Sequence, residues 1–207
     1  MPGPAQTRER QPRRTQAERS EAMRARLAAA AYETIAQGGF NALRMRNVAQ
    51  AAGVSQGALM HHFPDKNALV LAAVEQALAL AERDSGAGDL AADASPEAVL
   101  HALLDDLHGF FFSDRFWVAI GMTMEAAKDA EFYPVLRGCV SGLRTPVYAA
   151  WQDRLVAAGW REDEAQVAVR SAAAMISGFS IRRFWAEPDE MEETLTQQWI
   201  TERLARR

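Results

Sequence analysis

Cysteine is almost absent: Cys139 is the single thiol in 207 residues. One thiol excludes an internal disulfide and a thiolate zinc site, so a reducing cytoplasm is the expected setting. No apolar run approaches the roughly 18 residues a membrane span needs. The first twenty residues are polar and Arg-rich, without the apolar stretch of a secretion signal, which adds to the expectation of a soluble cytoplasmic protein. β-Branched residues are few and never alternate over a usable length, which argues against strands. No internal repeat is visible. Zinc-ligand spacing, a nucleophile elbow and a phosphate-cradling glycine loop are all missing, and the histidines and carboxylates are scattered. These absences speak against an enzyme, so no catalytic residue, metal or cofactor is expected.

Apolar residues make up 49% of the chain, enough for a substantial core. The formal net charge of −4 is unevenly spread. Through Lys66 there are ten basic and five acidic residues; beyond it, thirteen basic and twenty-two acidic. A basic head on an acidic body suits a polyanion partner at one end only, or else a solvated basic tail.

Residues 1–16, rich in Pro, Gly, Gln and Arg, read as a disordered arm. Leu27, Ala31 and Ile35 then recur at four-residue spacing, which marks a helix that Gly38-Gly39 should end. Asp65 predicts the cap of a helix carrying Leu71, Val74 and Leu78. Ser95-Pro96-Glu97 predicts the start of another. Further helices are expected over 116–127, from Phe132 to Ala158, over 163–185 and over 188–204. Pro146 should kink or split the second of these. The expected fold is all-α, with about nine helices.

The informative stretch runs from Leu43 to Phe63. Ala49 offers the small side chain that two steeply crossing helices need at their closest approach. Gly53 can take the left-handed conformation of a sharp turn. Val48, Val54 and Leu59 should point inward, and Ser55 should cap a second helix from Gln56 to His62. The outer face of that helix is small and polar, suited to the major groove of DNA. An ordinary helical corner is the plainer alternative.

Residues 20–75 resemble the DNA-binding domain of the TetR (tetracycline repressor) family. The resemblance rests on Ala49, Gly53-Val54-Ser55, Gly57-Ala58-Leu59 and His62-Phe63. It implies a three-helix helix-turn-helix domain over 17–66 and a ligand-binding and dimerisation domain over 67–207. The implied partners are double-stranded operator DNA, a second copy of the chain through the last two helices, and an unknown small-molecule effector. Base contacts would fall on Gln56, Gly57, Ala58 and His61, with Arg46 reaching a guanine. Gln56 suits adenine and Ala58 a thymine methyl. Phosphate contacts would fall on Arg44, Met45, Met60, His62 and Lys66, with Ser55 at the helix cap. The chain departs from the family where Leu43 and Arg44 replace the usual hydroxyl residues, where Met60 replaces tyrosine and where Gln56 replaces lysine. Repression, rather than activation, is implied by the likeness alone.

In the body, Phe110, Phe111, Phe116, Trp117, Met122, Tyr148, Trp151, Met175 and Phe179 are candidates for lining an effector pocket; Phe112, Met124 and Trp185 are also available. Filling an ordinary core is the competing reading for each. His101, His108 and Glu125 are candidate polar pocket groups or plain surface residues. Small residues from Ala168 to Gly178, and Met191, Leu195 and Trp199 at four-residue spacing, fit close helix packing between subunits or within one. The rival readings are an architectural DNA binder without a sensor and, more remotely, a helical enzyme.

Overall fold

Thr15 opens the first helix with a reciprocal cap. Its hydroxyl accepts from the Glu18 backbone N–H at 3.2 Å, and the Glu18 carboxylate accepts from the Thr15 N–H at 2.6 Å. The computed structural model describes residues 15–185 and 190–207. The described residues form α1 (Gln16–Ala42), α2 (Met45–Ala51), α3 (Gln56–His62), α4 (Lys66–Arg83), α5 (Pro96–Phe111), α6 (Asp114–Ala126), α7 (Phe132–Ala157), α8 (Glu162–Arg182) and α9 (Glu190–Ala205). A short 3-10 turn, Gly86–Gly88, lies between α4 and α5. The all-α expectation therefore holds, and no strand occurs among the described residues. The arm expected over 1–16 lies outside them, apart from its last two residues, and so does the predicted start of the last helix at Pro188.

The local signals act where the sequence puts them. Gly39 sits at φ +66° and breaks α1 before its final turn. A side chain at Gly38 would bring its Cβ within 2.5 Å of the Ala42 Cβ, so the Gly-Gly pair serves both a positive φ and a close approach. Asp65 caps α4 by accepting from the Ala68 N–H at 2.8 Å, and Ser95 caps α5 by accepting from the Ala98 N–H at 3.2 Å.

Of the two outcomes expected at Pro146, a kink or a split, the split does not occur. α7 continues unbroken from Phe132 to Ala157. Pro146 and Gly142, whose carbonyl loses its helical donor, are both exposed, so water can satisfy the orphaned group.

Two apolar cores organise the molecule. The first gathers Leu27, Ile35, Leu43, Val48, Leu59, Phe63, Leu69, Val74 and Leu78 from α1–α4, with Val118 and Met122 from α6 and Leu136 from α7. The second joins Leu100, Leu103 and Leu107 of α5 to Phe116, Trp151, Leu155, Val169, Ala172, Trp199 and Ile200. α6 belongs to both: Phe116 faces the second core, while Val118, Ala119 and Met122 face the first. Residues on either side of position 66 thus share one core, because α4 lies along α1.

Asp106 of α5 ties the linker to the second core. It accepts from the Trp151 Nε1–H at 2.6 Å, the Ser85 hydroxyl at 3.1 Å and the Gly86 N–H at 3.1 Å. Arg154 donates to the carbonyls of Ala87 (2.7 Å) and Leu90. These bonds hold the 84–95 connection against the bundle although it has almost no regular structure of its own.

Candidate nucleic-acid interface

α2 and α3 meet around Ala49, which is buried at their crossing. Gly53 lies at φ +63°, the left-handed conformation expected of it. Its N–H donates to the Gln50 carbonyl at 3.0 Å, and the next N–H, of Val54, donates to Ala49 at 2.9 Å, which closes the end of α2. Ser55 then starts α3 by accepting from the Ala58 N–H at 3.2 Å. Val48 and Leu59 are fully buried as predicted, while Val54 is half-buried.

Leu59 is the only buried residue of α3. Gln56, Gly57, Ala58 and His61 are exposed, Met60 is 49% exposed and His62 is half-buried. The helix is thus pinned by one leucine and offers most of its surface outward. His61 and His62 stand edge to face at 5.4 Å, beside a groove of about 500 Å³ shared with Gln16, Arg19, Ser20 and Met23 of α1.

Arg44 is the N-cap of α2, and its side chain makes no capping bond. Asn47 compensates at this junction by donating from Nδ2 to the Ala42 carbonyl at 2.9 Å. Arg44 and Arg46 are both exposed. Lys66 stands over the Phe40 ring, its Nζ 3.6 Å from the centroid, so part of its charge is engaged with a ring of α1.

Two residues that sequence reasoning gave no role prove central to this geometry. Arg24 of α1 donates from Nη1 to the His62 carbonyl at 3.1 Å and stacks over the Phe63 ring at 4.5 Å. It places a cation at the C-terminal end of α3, where the helix dipole is negative. Arg26 donates to the Ala52 carbonyl, beside the turn glycine. Their only trace in the sequence was the excess of arginine in the head.

The pocket candidates fall into separate places. Phe110, Phe111, Phe116 and Trp117 form one ring cluster, with successive edge-to-face centroid distances of 5.1, 5.0 and 5.0 Å. Tyr148 approaches it through Arg144, whose guanidinium lies 3.9 Å from the Phe110 centroid and 5.0 Å from that of Tyr148. Trp151 is fully buried against Asp106. Met122 is not with them: it lies in the first core, because its face of α6 turns toward α1 and α4. Met175 and Phe179 are half-buried on α8, and Phe179 lines a groove of about 350 Å³ with His101 and His108. His108 also stacks on Phe112 at 4.0 Å. Glu125 pairs with Lys128 at 2.6 Å, and Met124 and Trp185 are exposed.

Comparison with known proteins decides the kinship. Residues 27–73 match the family described as bacterial regulatory proteins, tetR family. The HTH-type transcriptional regulator CymR of Pseudomonas putida is 32% identical over 181 residues, spanning 87% of this chain and 89% of CymR. This chain belongs to the TetR family. It is accordingly a helix-turn-helix, DNA-binding transcriptional regulator. The fold agrees along the whole length. A TetR-family regulator structure from Mesorhizobium loti superposes with a TM-score of 0.70 at 16% identity, covering 90% of this chain and 97% of that one. The multidrug binding protein EbrR complexed with ethidium gives 0.65 at 22%, covering 87% and 98%. Among the described residues no helix is long and apolar enough to cross a membrane, and no group of three or more His, Cys, Asp or Glu could hold a metal ion.

Proposed function

We propose that this TetR-family regulator is a dimeric repressor that grips a pseudo-palindromic operator and lets go when a small apolar or aromatic effector enters its body. The observation that carries the reading is the recognition helix. It is capped by Ser55, pinned by Leu59, braced by Arg24 at its far end, and otherwise open. Residues 17–66 act as the reading head and 67–207 as sensor and dimer body. Gln56, Gly57, Ala58 and His61 meet base edges, and Arg46 reaches a guanine from α2. Arg44, Met60, His62 and Lys66 lie against phosphates, and Ser55 sets the helix start.

One short helix rarely gives enough affinity alone, so two heads read successive major grooves roughly 34–36 Å apart. Val167, Ala174, Gly178 and Ile181 leave an apolar, small-residue face of α8 exposed, and Met191 and Leu195 are exposed on α9. That face favours the dimer through the last two helices. Trp199 takes no part in it: its Nε1–H donates to Ser171 of the same chain at 2.9 Å, and it is buried.

The sensor reading draws on the ring cluster of Phe110, Phe111, Phe116 and Trp117, with Tyr148, Trp151, Met175 and Phe179 around the second core. The fold also suits an aromatic guest, since EbrR, which shares it, is complexed with ethidium. α6 is the natural relay: a displacement at Phe116 or Trp117 moves Val118 and Met122 on the same helix, and these pack under the head. To shift heads from mostly bound to mostly released, the effector must prefer the released geometry by about 5.5 kcal/mol over the dimer.

Titration of the full-length protein with operator DNA at several salt concentrations tests the reading. Affinity should fall steeply with salt and far exceed that for random duplex. Equal affinity for all duplexes would favour an architectural binder instead.

A further inference from the structure

We infer that the effector carries a carboxylate, and that Arg144 is the group that receives it. The inference rests on the effector reading above and names the chemistry of that site. Arg144, in the middle of α7, is only 9% exposed. Its Nε is buried without any hydrogen-bond partner, and no carboxylate pairs with it among the described residues. A guanidinium keeps its proton at any ordinary pH, so it cannot escape burial by neutralising itself as a lysine would. Arg203, the other buried arginine, has Glu164 at 3.9 Å; Arg144 has no such counter-ion.

Rings take the place of an anion around Arg144. The Phe110 centroid lies 3.9 Å and the Tyr148 centroid 5.0 Å from its Cζ. Arg170 of α8 approaches the same Tyr148 ring, also at 5.0 Å, and is exposed. Two guanidiniums thus share one tyrosine, with no acid between them. Three acids of neighbouring elements are committed elsewhere, and Asp105 of α5 is exposed. Asp106 accepts from Trp151, Ser85 and Gly86, Asp84 pairs with Arg115 at 2.5 Å, and Glu164 lies toward Arg203.

A second orphan lies in the same ring cluster. Trp117 Nε1 is buried without an acceptor; its ring touches Phe116 at 5.0 Å, and Phe116 touches Phe110 at 5.8 Å. Unpaired donors beside apolar rings call for a guest that has acceptors and an apolar body. A carboxylate fits best, because its two oxygens match the side-by-side donors of a guanidinium. A phosphate dianion would bring more charge than this ring-lined surround can solvate. Half-buried Phe110 and Tyr148 flank the cation, so a carboxylate would reach it by displacing one of these rings. The cleft of about 460 Å³ that Phe110 lines carries Asp84, Asp105 and Asp106 against one cation, Arg115, so it is the less favourable approach for an anion.

The test is a calorimetric and thermal-shift titration of the full-length protein with benzoate and with benzamide, its neutral isostere. Benzoate should bind and benzamide should bind about tenfold to a hundredfold more weakly, the ratio that a charge-assisted pair carries. Arg144→Met should lose that preference while remaining as stable as the parent or more so, since it removes a buried charge without a partner. Arg144→Lys should bind benzoate with intermediate affinity. Equal affinity for the two probes overturns the inference, as does no binding of either, or wild-type benzoate affinity in Arg144→Met; the comparison of probes on the wild-type chain stands even if a variant fails to fold. Operator release, measured in parallel, separates the two levels. Benzoate bound through Arg144 with operator still held would refute the effector reading and leave the site intact. Release by neutral aromatics alone would do the reverse.

Discussion

Gly53→Ala is the sharpest probe of the recognition geometry, because the structure fixes both its cost and its control. At φ +63° an added Cβ meets the following carbonyl, a strain of about 1–2 kcal/mol. That Cβ would also stand 3.3 Å from Arg26 Nη2. The guanidinium tip can withdraw, but only by weakening its bond to the Ala52 carbonyl, which adds about 1 kcal/mol. For a chain of this size each kcal/mol lowers the melting temperature by about 2–4 °C. The variant should therefore melt about 4–12 °C below the parent. Gly39→Ala, at φ +66° and ψ −173°, enters a region that essentially only glycine occupies and should cost about 1–3 kcal/mol from backbone strain alone, since nothing lies within 4 Å of its Cβ. Gly57→Ala should have the opposite sign: the residue is helical, its Cβ would meet only Ser55 Oγ at 4.0 Å, and alanine stabilises a helix by up to about 1 kcal/mol over glycine. On operator DNA, however, Gly57→Ala should weaken binding, since it adds bulk to the face offered to the bases. Differential scanning calorimetry and fluorescence anisotropy on labelled duplex read both quantities. A Gly53→Ala protein as stable as the parent, or a Gly57→Ala protein destabilised to the same extent as Gly53→Ala, would refute the reasoning.

Ser55→Ala removes the α3 cap and should cost about 1 kcal/mol by urea denaturation, with a larger loss of operator affinity than of stability. Trp151→Phe keeps an aromatic ring in the core, though a smaller one, and strips Asp106 of its shortest bond. A loss of about 1.5–3 kcal/mol is expected, together with faster proteolysis in the 84–95 connection that Asp106 anchors. The Cys139 thiol is pushed up to about 11 by burial, reinforced by Glu75. At pH 8 it should be overwhelmingly protonated and react with iodoacetamide roughly a hundredfold more slowly than a free thiol, speeding up only as the pH rises toward 11. Alkylation at the rate of an unfolded control would show that the thiol is not shielded.

The head was largely legible because its logic is local. A left-handed glycine, a hydroxyl cap three residues ahead of its donor and a single inward leucine act within four or five residues of one another. Gly53, Ser55 and Leu59 stand as the spacing requires. Arg24 was hidden because its partner, the His62 carbonyl, is 38 residues away, and a backbone acceptor leaves no mark in composition. Met122 shows the same limit in the body: sequence can say that it is apolar, but the rotation of α6 decides that it packs under the head rather than beside Trp117. At Pro146 the sequence left a kink and a split both open, and the packed bundle decided against the split. The penalty of the proline depends on whether the orphaned carbonyl meets water, and exposure is a property of the packed bundle.

By itself, then, the sequence determined the all-α chain, the caps, the breaks and the short, outward-facing polar helix α3, since backbone conformation answers to neighbours a turn away. Tertiary structure alone decided that α6 links the two cores, that Arg24 of α1 braces the far end of α3, and that one arginine of α7 is buried among rings without a counter-ion. Burial and partnership arise from segments brought together over dozens of residues, and no local pattern encodes where a distant charge comes to rest.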